Sequence, residues 1–411
     1  MERGEDSELG SACKGPIEAA REVIAASVRP SAEPLRRSTA ELVRAPGRAS
    51  APRQLTMSAF LSRAPALALL ASSAAVAHAG VLDAAGATWA GRTLTAPGNV
   101  SFSWEGVQAS FTVTGATWVT LLASSRSPAG TRPCSRVFHT MVDGALWLNW
   151  TLPQQQLTPV NLTVAEGLST QAHLIVVWYA QDPICPHQTW DLTPWSHSFH
   201  LFSTDGAFGE PLPKPARRLQ IIGDSITAGD SIDPVTCASD HLGSYGARLC
   251  QHFDADCQTQ AIGGKGLYEN CCDPGVTMTT LFARTIVGFP ELMWDDTLFV
   301  PNGVILALGT NDAGHDSGPA WQANFTAAYA AFLQHLTRIH GNANLPIFCA
   351  VGPIGHNYFP WVAAAIAQSG VKNAQVLNFT APVDKCGHPT WDSHDIMAQQ
   401  AAPVIAAALG W

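Results

Sequence analysis

At 411 residues the chain has room for two or three domains with buried cores. Apolar residues make up 46% and charged residues 13%, the composition of a compact globular protein and not of a disordered one. The formal net charge is −9; residues 1–79 hold ten basic against eight acidic residues, leaving 13 basic against 24 acidic beyond them. Such a surface has no basic footprint for nucleic acid, and a neutral substrate fits it better.

Residues 1–56 have no clear hydrophobic period, and read as a disordered extension or as sequence ahead of a true start at Met57. From Met57 come a short segment with Arg63, an apolar stretch from Ala64 to Ala77, and Ala77-His78-Ala79 before Gly80. These are the three parts of a secretory signal peptide over 57–79, although an Ala-rich amphipathic helix would share much of the composition. The apolar run is too short to span a bilayer, so no stable membrane insertion is expected. Export accords with the sequons at Asn99, Asn149, Asn161, Asn324 and Asn378. It also accords with nine cysteines after Gly80, which read as disulfides with at least one left over. By region alone, Cys134 would pair with Cys185 and Cys349 with Cys386.

Between about Gly91 and Thr204 short alternating segments predict strands over 100–104, 109–114, 118–122, 137–142, 145–152 and 173–179. Evenly spaced short strands with turn signals indicate an antiparallel sandwich, assigned to 80–206. The segment 207–217 carries three prolines and reads as a linker. From 218 to 411 the pattern changes. Apolar runs at 219–222, 303–308 and 346–351, with a weaker one at 375–379, alternate with helical stretches at 320–339 and 394–409. That alternation predicts a parallel sheet covered on both faces, with function at the carboxyl ends of its strands.

Four polar blocks follow strand exits: Gly223-Asp224-Ser225-Ile226, Gly263-Gly264-Lys265-Gly266, Leu308-Gly309-Thr310-Asn311-Asp312 and Cys386-Gly387-His388-Pro389. Each alone has an ordinary explanation: a helix N-cap, a tight turn, an Asx turn, a loop histidine. Together, in order and at strand exits, they specify acyl transfer. Ser225 needs an adjacent base, and His388 would supply it. The N–H groups of Ser225 and Gly264 and the amide of Asn311 would form an oxyanion hole. Asp224, Tyr268, Trp294 and Trp391 are the expected substrate contacts; the aromatic faces suit pyranose rings, and a core role for Trp294 is equally open. The acid on the chain side of His388 is Asp384, four residues ahead; Asp392 and Asp395 are further options, and a main-chain carbonyl could orient the imidazole instead. Hydroxyl, imidazole and amide complete the site, so no cofactor or metal is expected.

These blocks resemble the Ser, Gly, Asn and His blocks of the SGNH (GDSL-like) hydrolases. More narrowly, Phe102–Val107, Ala109–Gly115, Ile222–Gly229, Ser244–Leu249, Gly264–Asn270 and Leu308–Asp312 resemble phrases of carbohydrate esterase family two, in order, over roughly residues 91–411. The resemblance implies a jelly-roll sandwich before a three-layer α/β/α SGNH domain. It further implies an esterase that removes acetyl groups from O-acetylated carbohydrate; with the leader over 57–79 the expectation is a secreted enzyme, and a monomer. Many SGNH enzymes carry an Asp two or three residues before the His; here Lys385 and Cys386 stand there, which leaves the orienter open.

Overall fold

In the computed structural model, residues 78–126, 136–153, 156–181 and 196–411 are described. The expected leader and everything before it lie outside these residues, except His78 and Ala79, which open the first strand. The Cys134–Cys185 pairing also lies outside them.

The first region is antiparallel: β1 (His78–Asp83), β2 (Thr88–Ala90), β3 (Leu94–Ala96), β4 (Asn99–Phe102), β5 (Gln108–Thr114), β6 (Trp118–Arg126), β7 (Arg136–Val142), β8 (Ala145–Leu152), β9 (Val160–Glu166), β10 (His173–Tyr179) and β11 (Ser196–Phe208). The period-two pattern of the sequence becomes a two-faced sheet. Ala109, Phe111 and Val113 of β5, and Val119, Leu121 and Ala123 of β6, point into the core while their neighbours are half-exposed. Asp143 and Gly144 both take positive φ, as a two-residue hairpin between β7 and β8 requires.

One main path runs β3-β4-β11-β5-β10-β7-β8, and β1, β6 and β9 attach through β11 and β6. The long β11 can serve so many partners because its register against β6 shifts between Phe199 and Leu201, a bulge that bends it. Phe102, Phe138, Tyr179, Phe199 and Phe202 fill the interior between the layers.

The second region is a parallel sheet of β12 (Arg217–Gly223), β13 (Ala255–Ala261), β14 (Gly303–Ala307), β15 (Ile347–Val351) and β16 (Ala374–Asn378), in the order β13-β12-β14-β15-β16. The helices are α1 (Ser225–Ala228), α2 (Tyr245–Phe253), α3 (Met278–Leu281), α4 (Pro319–Ile339), α5 (Phe359–Ser369) and α6 (Trp391–Leu409). Phe325, Leu333 and Val362 of α4 and α5 cover one face of the sheet with Ile222, Leu306 and Val351. Leu249, Met397 and Ile405 of α2 and α6 cover the other with Ile221, Ile305 and Phe348. Burial on both faces is why these strands read as continuous apolar runs. The first strand, β12, lies between the second and third, so the direction of winding reverses at its carboxyl end.

Three expectations are adjusted. β11 continues through Ala207 and Phe208, which pair with Thr114 and Val113, because the first proline, Pro211, comes only after them. α6 begins at Trp391 and not at 394, because the Thr390 side chain accepts the Ser393 N–H and caps it. Cys349 does not bond Cys386; it is a free thiol buried in β15, whereas Cys386 bonds Cys237. Cys250–Cys257 and the adjacent pair Cys271–Cys272 are the other described disulfides.

The two regions are sewn together by buried polar contacts. The wholly buried Arg92 guanidinium donates to the Phe282 and Arg284 carbonyls and to Gln258. The Trp104 indole reaches the same Arg284 carbonyl at 3.1 Å, and the Val287 N–H donates to Ser103 Oγ at 2.9 Å.

Candidate active site

β12 ends in Gly223, and Asp224 caps the single turn of α1 by accepting the Ile226 N–H at 3.0 Å. That makes Ser225 the first helical residue, whose N–H has no intrahelical acceptor. Gly229, at φ 76°, ends the turn; a side chain there would strike the Asp240 carbonyl. The short turn therefore leaves Ser225 at the strand end, where the sheet reverses its winding.

His388 arrives from the loop before α6. Its Nε2 lies 2.9 Å from Ser225 Oγ. The loop closes on itself through Asp384 N–H to the His388 carbonyl and Gly387 N–H to the Asp384 carbonyl. Asp384 Oδ1 accepts the Cys386 N–H at 2.8 Å, so the carboxylate is engaged in its own turn. No described side chain bonds His388 Nδ1. Burial pulls the His388 pKa below its ordinary value, while the Cys386 carbonyl and the Asp384 charge oppose that shift. Asp395 is paired with Arg248, and Asp392 sits exposed in the first turn of α6.

The opposite flank is built from the Gly264 and Asn311 blocks. Asn311 Nδ2 donates to the Lys265 carbonyl at 2.9 Å and lies 3.4 Å from Asp224 Oδ2. Gly264 has φ 76°, and its carbonyl accepts the Cys271 N–H. Asp312 does more than its sequence position suggested. Its carboxylate accepts three consecutive N–H groups, Leu267 at 2.9 Å, Tyr268 at 2.7 Å and Glu269 at 2.8 Å, and so ties the Asn311 turn to the Gly264 loop. Lys265, wholly buried, forms an ion pair with Asp273 in the same loop.

The remaining expected contacts separate. Tyr268 is 37% exposed and meets Trp321 edge-on at 5.8 Å. Trp391 is half-buried, with its ring packed on Gly243. Trp294 lies against the Arg92 guanidinium, 5.2 Å from the ring centre, near the junction of the two regions. Asp224 is 1% exposed and faces inward; burial first, then the Asp312 charge, push its pKa up to about 7. Its side chain lies beneath the α1 turn, where it accepts the Ile226 N–H.

The sandwich also reaches this neighbourhood. His139 of β7 bonds Asp240 at 2.8 Å and Asn149 at 2.6 Å. Burial pulls that imidazole down, but the Asp240 and Asn149 contacts outweigh it and leave the pKa raised. Asp240 in turn donates its N–H to the carbonyl of Gly229, the residue that ends the Ser225 turn. No sequence spacing signals this pair, because its partners lie in different regions. The Asp312 role had a faint signal, an acid directly after the Asn of the third block.

A parallel sheet that presents a serine and a histidine side by side at its strand ends, opposite a turn rich in N–H donors, defines a class of α/β hydrolytic fold. Residues 221–405 match the GDSL-like Lipase/Acylhydrolase family. The chain is similar to the cellulase/esterase CelE of Acetivibrio thermocellus, 26% identical over 302 residues, 67% of this chain and 34% of that one. It is also similar to an acetylxylan esterase / glucomannan deacetylase of Cellvibrio japonicus, 26% identical over 215 residues, 48% of this chain and 58% of that one. The chain thus spans only about a third and somewhat over half of these relatives' lengths. Its fold resembles that of a family two carbohydrate esterase from Clostridium thermocellum in complex with cellohexaose, with a TM-score of 0.68, 22% identity, and coverage of 81% of this chain and 100% of that one. Among the described residues no helix is long and apolar enough to cross a membrane.

Proposed function

We propose that this chain is a secreted serine esterase that removes O-acetyl groups from polysaccharides or sugars. The observation that carries the reading is the Ser225–His388 contact of 2.9 Å at the reversal point of the parallel sheet. Ser225 Oγ attacks the acetyl carbonyl as its proton passes to His388 Nε2. The oxyanion forms opposite the Ser225 and Gly264 N–H groups and the Asn311 amide, whose second N–H exchanges its long 3.4 Å contact with Asp224 for the developing charge. The imidazolium then hands its proton to the departing sugar hydroxyl, leaving acetyl-Ser225. Water repeats the sequence against the acyl-enzyme and releases acetate.

The names of the relatives support acetylated carbohydrate as substrate. The division into a leader over 57–79, a sandwich, a linker and an esterase region is part of the same reading, with the expected linker shortened to 209–216 between β11 and β12. Cys386, whose carbonyl lies near the His388 ring, orients the base; Asp384 does not. Tyr268 provides an apolar face for the sugar. Acetate release from acetylated xylan, acetylated glucomannan and a chromogenic acetate tests the reading. All three should be cleaved and all three lost in Ser225→Ala. Cleavage of the chromogenic ester alone would remove the carbohydrate assignment. N-terminal sequencing of exported protein should begin at Gly80, and a product retaining residues before Met57 would refute the leader.

A further inference from the structure

On the outer face of the sandwich, far along the chain from the serine, three strands lie side by side in the order β11, β6, β9. Their outward residues form cross-strand rows. Leu201, Leu122 and Asn161 stand in one row, and Ser203, Thr120 and Thr163 in the next. Trp118 pairs with Glu166 at the far end. Thr117, Trp118, Thr120, Asn161, Thr163, Glu166, Gly167 and Ser203 line an open groove of about 630 Å³. That volume lies within the roughly 300–1,000 Å³ of small-ligand sites. Its lining is hydroxyl, amide and indole, with Glu166 the one formal charge. Trp118 is 37% exposed, and the neighbouring Trp147, 45% exposed, donates its indole N–H to the Glu166 carbonyl. Exposed indoles among hydroxyls suit the apolar face and hydroxyl edge of a sugar ring.

The groove contains its own attachment point. Asn161-Leu162-Thr163 is a sequon, and Asn161 and Thr163, two residues apart on β9, both point outward and are exposed. Among the described residues β9 pairs only with β6 and is an edge strand, so the sequon faces outward from the sheet edge. From the Asn161 row to Trp118 is four residues of β6, about 13 Å at roughly 3.3 Å per residue, which the first sugars of a linked glycan can span. The other sequons lack such a bed. Asn149 is engaged with His139, Asn99 is half-buried, Asn324 stands on the open face of α4, and Asn378 ends the edge strand β16.

We propose that Asn161 carries an N-linked glycan whose first sugars lie in this groove against Trp118. The bond forms between Asn161 Nδ2 and the anomeric carbon of a lipid-linked oligosaccharide donor; the lipid diphosphate leaves and the amide gives up a proton. The glycan covers the exposed indole and keeps the sheet face from pairing with other chains. This rests on the export reading above.

The test is full-length chain produced in a eukaryotic secretory host, with site occupancy mapped by peptide mass spectrometry. Asn161 should be occupied, and Asn161→Gln and Thr163→Ala should each lose the same glycan mass. Under native conditions, a peptide N-glycosidase should release the Asn161 glycan at least about tenfold more slowly than glycans at Asn324 or Asn378. Trp118→Ala should abolish that protection while leaving occupancy unchanged. Occupied Asn324 or Asn378 beside an empty Asn161 overturns the proposal alone; a chain without glycan at any sequon overturns it together with the export reading. Equal release rates, or binding of soluble glucomannan by Trp118 to an unoccupied groove, overturn the groove assignment.

Discussion

The two loops that meet at Ser225 are held in opposite ways. On the donor side, residues 263–273 are fixed by dense polar contacts: three N–H groups on Asp312, Asn311 on the Lys265 carbonyl, and the buried Lys265–Asp273 ion pair. On the base side, the His388 loop is held by backbone turns and one covalent link, Cys237–Cys386, and the imidazole Nδ1 has no side-chain partner. The donors must be in place before charge develops, and pre-set dipoles do that without reorganisation. The base must take a proton and give it back. On the proposed reading, a ring oriented by main chain, close to a cross-link, keeps its position without the strong proton affinity that a buried carboxylate partner would impose.

The largest effect should come from removing the reacting pair itself. Ser225→Ala and His388→Ala should each lower kcat by on the order of a thousandfold or more, with folding intact by circular dichroism. Retained activity in His388→Ala would remove the base side of the comparison altogether. The donor side should break next. Asp312→Ala frees three N–H groups, one buried and two part-buried, and the buried one alone costs about 1–3 kcal/mol when left unpaired. It should cost kcat roughly 10²-fold, the scale of one lost oxyanion donor, with KM little changed. A variant of wild-type kcat would show that the Gly264 loop holds its shape without Asp312.

How much of this was legible in the sequence follows from the range of the interactions. The parallel sheet and its buried strands were readable because burial on both faces leaves a continuous apolar run. The blocks around Ser225, Gly264 and Asn311 sit within a few residues of a strand exit, and the His388 block just ahead of α6, so each was readable from the apolar run or helix beside it. Contacts between distant segments left no such trace. The Cys237 partner of Cys386 sits in the loop after α1, on the far side of four strands in sequence, and region alone pointed to Cys349. For Trp294 the sequence left a cleft role and a core role equally open, and its contact with Arg92 comes from the sandwich, a segment no local spacing could point to. Asp224 looked accessible in a polar motif, and the tight turn of α1 folds it underneath.

The cross-link gives a smaller, two-part prediction. Cys237→Ser opens a link spanning 149 residues and should cost about 2–4 kcal/mol of stability, read from the denaturant midpoint. Because Cys386 is two residues from His388, kcat should also fall, by roughly tenfold, through looser placement of the base. Mild dithiol treatment of the native enzyme should reproduce the loss if the link acts as a positioning device. Unchanged kcat in the destabilised variant would reduce the disulfide to a purely structural role.

The smallest effect separates the two candidate orienters. If Asp384 held the imidazole as a triad acid does, Asp384→Asn should cost about 10⁴ in kcat. Its carboxylate instead receives the Cys386 N–H, so the change in kcat should stay below about threefold, since an amide oxygen can still accept that bond. A pH profile adds a sign. Burial lowers the His388 pKa from its ordinary 6.5, so the base stays neutral and the acid limb of kcat/KM falls below pH 6.5. The Asp384 charge favours the imidazolium and opposes that shift. Its removal should therefore lower the His388 pKa further, carrying the acid limb to lower pH with the plateau almost unchanged. A collapsed plateau would make Asp384 the orienter after all. A limb that moved to higher pH would show that the carboxylate acts on the loop and not on the charge of the ring.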